Sequence, residues 1–149
     1  MKKIFFVIFA FVLFASCSDD DGSEYHYELL PTVEAIVPES FEFGQVYEIA
    51  VKYIVPDDCY ISSDILYEYD LDARNIAVIA LVVENDACEP IDEEATLTFN
   101  VQALQHKPYI FRFWQGEDDN GDPIYLEVVV PVIGSEESVN EAKTTNTKM

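Results

Sequence analysis

The sequence predicts an all-β domain, a two-sheet sandwich of about seven antiparallel strands, and three observations lead there. Two heptapeptides alternate apolar and polar residues with a period of two, clusters of Pro, Gly, Asp and Asn recur between extended runs, and no stretch carries a period of 3.6.

Along the chain, the first clear strand is Tyr47-Glu48-Ile49-Ala50-Val51-Lys52-Tyr53. Tyr47, Ile49, Val51 and Tyr53 share one face while Glu48 and Lys52 share the other, the pattern of a strand with one wet side. Next come two β-rich runs about the polar stretch Asp72-Ala73-Arg74-Asn75, read as a turn; the second, Ile76 to Val83, is apolar on both faces. Cys59 and Cys88 lie symmetrically about that stretch, so a hairpin there opposes them. Ala95-Thr96-Leu97-Thr98-Phe99-Asn100-Val101 repeats the alternation, with Ala95, Leu97, Phe99 and Val101 inward. Finally Asp119-Asn120-Gly121-Asp122 separates the aromatic run Tyr109 to Trp114 from Ile124 to Val132. Asn-Gly in that position is a strong hairpin signal, because a two-residue turn needs residues that accept positive φ.

Short strands at this spacing fit an immunoglobulin-like sandwich, with a jelly roll or small barrel as the alternative, since sequence leaves strand order open. The domain spans residues 25–133. Residues 134–149 (GSEESVNEAKTTNTKM) hold almost nothing apolar to offset chain entropy and are expected to be a disordered tail.

The N-terminus gives an address. Lys2 and Lys3 precede an apolar run from Ile4 to Ala15, too short to span a bilayer comfortably, and small residues then lead to Cys17. Residues 1–16 therefore read as a signal peptide. Phe14-Ala15-Ser16-Cys17 resembles the lipobox of bacterial lipoproteins, with Phe14 where Leu is usual. That resemblance implies diacylation of Cys17 and anchoring through its acyl chains, two of which hold a protein stably on a membrane. Residues 17–24 form an acidic tether, and Ser18-Asp19-Asp20-Asp21 resembles the export signal of Bacteroidetes-type surface lipoproteins. The resemblance implies the outer face of the outer membrane; a periplasm-facing lipoprotein is the alternative. In an oxidising compartment the remaining thiols, Cys59 and Cys88, are expected to form a disulfide.

Composition narrows function. A net charge of −21, with 29 acidic against 8 basic residues, argues against nucleic acid and against docking on anionic headgroups. The chain lacks Gly-x-Ser-x-Gly, His-Glu-x-x-His and a glycine-rich phosphate loop, and its two histidines, His26 and His106, lie far apart. No catalytic residue, metal ligand or cofactor is assigned. Gly116 to Glu127 approaches the calcium-loop spacing at Asp118, Asn120, Gly121 and Glu127, but Gly116 stands where Asp is required, so an acidic hairpin turn is the preferred reading.

A binding surface is better motivated. If Tyr109, Phe111 and Phe113 point inward, Ile110, Arg112 and Trp114 point outward, and Arg112, Trp114 and Tyr125 become candidate contacts for an envelope protein or a glycan. The doubly apolar strands also need cover on their second face, expected from Tyr25 to Leu30 or a long loop. The sequence thus suggests a lipid-anchored, non-enzymatic envelope binding or accessory protein, with glycan capture as the alternative.

Overall fold

A computed structural model describes residues 24–84 and 87–134. The readings placed on residues 1–23, Cys17 among them, and on residues 135–149 lie outside the described residues. The described residues form ten strands and no helix: β1 (Tyr25–Leu30), β2 (Thr32–Ile36), β3 (Phe41–Glu42), β4 (Val46–Asp57), β5 (Tyr60–Asp70), β6 (Ala73–Val83), β7 (Pro90–Gln102), β8 (Tyr109–Glu117), β9 (Pro123–Val130) and β10 (Val132–Ile133).

They build a sandwich. One sheet runs β1-β6-β8-β9 with β5 on the other edge of β6; the facing sheet runs β2-β4-β7; β3 and β10 pair as a short clip. Prolines mark the crossings. Pro31 separates β1 from β2, which lie in different sheets, and Pro131 separates β9 from β10. A residue without an N–H cannot continue a ladder, so each is a natural place for the strand to change sheets. Pro56 acts within β4, where the register against β7 shifts between Val55 and Asp57.

The alternation predicted for residues 47–53 is realised: Ile49, Val51 and Tyr53 are buried, while Lys52 bridges Glu34 (2.8 Å) and Glu94 (3.7 Å) on the outer side. Facing them, Leu30, Ile76, Val78, Ala80, Phe111, Phe113 and Val130 complete the core. Phe41 from the clip plugs one end, stacked on Tyr47 at 4.5 Å and edge-on to Tyr109 and Phe111.

Three expectations need correction. The stretch Asp72 to Asn75 is not the turn: Asp70 pairs with Ala73, leaving Leu71 and Asp72 as the loop, with Leu71 in the left-handed region (φ 53°) and fully exposed. Ala73, Arg74 and Asn75 belong to β6. Second, the last hairpin does not use a two-residue turn. Its ladder ends at Glu117 and Pro123, and a turn from Asp118 to Gly121 closes with the Gly121 amide donating to the Asp118 carbonyl (3.0 Å). Gly121 alone takes positive φ (83°), the three-residue loop with a glycine bulge. Third, β6 with β8 and β3 with β10 pair in parallel, where antiparallel neighbours had been expected. Between β6 and β8 the chain runs through β7 in the facing sheet, so it re-enters the first sheet in the direction in which it left.

Cys59 and Cys88 form a disulfide, with Cα atoms 5.6 Å apart. Cys59 lies where the chain leaves β4 for β5, and Cys88 where it leaves β6 for β7, so the bond staples two sheet-to-sheet crossings at one end. The hairpin itself is shorter than the cysteine spacing implied: the Val83 amide, not Cys88, donates to the Cys59 carbonyl (3.0 Å).

Candidate functional site

The predicted contact residues share the outer face of the five-stranded sheet. Tyr109, Phe111 and Phe113 are buried, which turns Ile110, Arg112 and Trp114 outward. Trp114 lies opposite Tyr125, and Arg112 opposite Glu127. Arg112 is engaged on both sides, by Glu127 (3.1 Å) and by Asp70 (3.3 Å). Trp114 and Tyr125, with Leu29, Leu66 and Ala77, line a shallow depression of about 150 Å³. Asn75 lies in the same depression, and its Oδ1 is buried with no hydrogen-bond partner among the described residues. The cover expected from Tyr25 to Leu30 is absent: that segment pairs edge to edge with β6, Tyr27 beside Leu81 and Leu29 beside Ile79, so it widens the sheet. Tyr27 is 71% exposed as a result.

A second feature lies between the sheets and was not foreseen. β5 and β7 are edge strands, and their inward side chains Ile65, Tyr67, Leu97 and Phe99 are only half-buried, so the seam between the sheets stays open on that side. The opening is a cleft of about 630 Å³. Its walls include Tyr67, Tyr69 and Tyr109, Phe99, Gln105 and Asp64.

Arg74 lies in this cleft with 9% of its surface exposed. Its Nη1 donates to the Ala73 carbonyl (3.0 Å) and its Nη2 to Gln105 Oε1 (2.8 Å). The guanidinium also sits 4.3 Å from the Tyr69 ring centroid and 5.8 Å from that of Tyr109, within range of cation–π attraction. These partners are themselves held. Gln105 donates its amide to the Lys107 and Pro108 carbonyls, and the Tyr109 hydroxyl donates to the Gln102 carbonyl while accepting from the Leu104 amide. Burial pushes the Tyr67 hydroxyl up to about 12, the Arg74 charge opposing, so it is a neutral donor at ordinary pH.

Every contact just named for Arg74 is neutral. Lys52, Lys107 and Arg112 each pair with a carboxylate, whereas the ion pairs among the described residues do not include Arg74, in a chain with 29 acidic residues. A buried charge without an opposite charge is costly. Sequence reading missed Arg74 because four polar-leaning residues were taken together as a turn. The available signal was parity, since Arg74 is in phase with Ile76, Val78 and Ala80, the inward residues of β6.

The acidic turns are structurally occupied. Asp57 and Asp58 gather beside the disulfide, where Asp57 accepts from the Cys59 amide (2.9 Å) and Asp58 from the Glu89 amide (2.9 Å). In the last hairpin Asp118 accepts from the Asn120 and Asp122 amides, and these backbone bonds, the one from Asp122 first, hold its carboxyl below the usual range. Glu127 faces Arg112 and not the turn. No protein-family model, curated protein or solved structure matches the chain.

Proposed function

We propose that the chain is a lipid-anchored, non-enzymatic binding protein of the cell envelope, held by acyl chains on Cys17 at the outer membrane with its domain on the cell surface. The observation that supports a binding role is the inter-sheet cleft, whose volume falls in the range of roughly 300 to 1,000 Å³ that small-molecule sites occupy. Its lining joins aromatic surface to a few fixed polar groups, which is how such sites combine affinity with orientation. The histidines have other duties: His106 stacks on Phe43 at 4.3 Å, and His26 lies between Glu28 and Glu84. Glycan capture is the form of binding the cleft favours, because flat rings and tyrosine hydroxyls together suit a hydroxylated ring.

An accessory role is the second reading, favoured by the Trp114–Tyr125 depression and the unpartnered Asn75 Oδ1. Crosslinked native membranes separate the two. Co-purification of the intact lipidated chain with a discrete partner, lost on replacing Trp114 and Tyr125 by Ala, supports the accessory role. Recovery of the chain without a partner, together with a ligand-induced rise in its melting temperature that the same double variant retains, supports the cleft. A chain that Cys17→Ser leaves fractionating with membranes overturns the anchor.

A further inference from the structure

We propose that the cleft recognises an acidic sugar, a uronate unit of a glycan, with the Arg74 guanidinium as the carboxylate-binding group; the inference rests on the cleft being the ligand site. A guanidinium offers five N–H donors in a planar fork that matches a carboxylate. In Arg74 one donor from each terminal nitrogen is committed, to Ala73 and Gln105, and the aromatic contacts of Tyr69 and Tyr109 fix the plane of the group without neutralising it. A carboxylate arriving through the cleft would supply the charge that the fold withholds, and charge-assisted pairs of this kind are about twice as strong as neutral ones.

The rest of the lining selects what carries that carboxylate. Phe99 and Tyr67 meet edge-to-face, with centroids 5.9 Å apart, and leave ring surface on the cleft wall for the C–H face of a sugar. Tyr67 and Tyr69 bring hydroxyl groups to the cleft wall that suit those of a sugar, while the Gln105 amide is spent on Arg74, Lys107 and Pro108. An alkyl carboxylate would cover the Tyr67 hydroxyl without giving it a partner, at a desolvation cost. A phosphate would bring nearly two negative charges past Asp64 into a chain of net charge −21, where a carboxylate brings one.

The test uses the full, disulfide-bonded chain in mild detergent. A short oligogalacturonate, its methyl ester and the neutral galactose oligomer are titrated by calorimetry, and acetate is titrated while the Arg74 Nε–Hε resonance is followed by NMR. The acid is expected to bind at least tenfold more tightly than its ester, to lose at least tenfold in Arg74→Lys, which keeps the charge but not the fork, and to weaken in Phe99→Ala while acetate still moves the Arg74 resonance. Equal binding of acid and ester overturns the role of Arg74. Acetate shifting Arg74 while no uronate binds overturns the sugar and leaves the site, whereas silence from both acetate and uronate removes the cleft as a ligand site altogether.

Discussion

Phe111 has no exposed surface and touches both Tyr109 and Phe113 along its own strand and Phe41 across the core. Truncation there removes the ring and leaves a hole that neighbours fill only partly. Phe111→Ala is therefore expected to cost about 3 to 5 kcal/mol, read from urea unfolding at unchanged m-value. Tyr67 is informative in a different way. Its hydroxyl is raised to about 12, first by burial, from an ordinary value near 10. The folded chain thus keeps a proton that the unfolded chain releases above about pH 10. The corresponding stability is complete below pH 10 and is lost as pH climbs toward 12. Burial raises Tyr60 to about 12 as well, so absorbance at 295 nm should show two late-ionising tyrosines, one of which disappears in Tyr67→Phe, and that variant should lose less stability over the same interval. Identical alkaline profiles for the two proteins would contradict the burial of Tyr67.

The Cys59–Cys88 bond joins crossings 29 residues apart. A closed loop of that size contributes roughly 3 to 4 kcal/mol in the chain-entropy model, so reduction, or the double replacement of both cysteines by Ser, should lower unfolding stability by about that amount with the sandwich retained. The same element shows how far sequence reading reaches. The pairing was legible because the expected export, with Cys17 acylated, would leave two thiols in an oxidising environment, yet its geometry was not, since the crossings between sheets are set by where β4 and β6 end. Strands 47–53 and 95–101 were legible from a period of two, a local property enforced by burial of one face, and 109–114 as the aromatic run ahead of the Asn-Gly turn. The parallel pairing of β6 and β8 was not, because it depends on β7 lying in the other sheet. The outward side of Arg112 and Trp114 follows from the alternation of β8, and Tyr125 joins them by lying opposite Trp114, while Arg74 was hidden by a turn misplaced by about two residues.

At the scale of the molecule, net charge and site pull in opposite directions. The chain carries −21, and the proposed ligand is an anion, so the long-range field repels what the buried guanidinium attracts at contact. The two effects differ in range. Repulsion acts over the Debye length, about 30 Å at 0.01 M salt and about 10 Å at 0.1 M, whereas a pair formed inside the cleft is screened much less. Raising NaCl from 0.01 to 0.1 M should therefore speed association of an oligogalacturonate severalfold while changing its dissociation rate little, so that affinity rises with salt. The neutral galactose oligomer should show no such trend. Surface-coupled kinetics at several salt concentrations separate these rates directly, and an association rate that falls with salt would mean that the local field of Arg74 reaches past the cleft mouth and outweighs the 29 carboxylates around it.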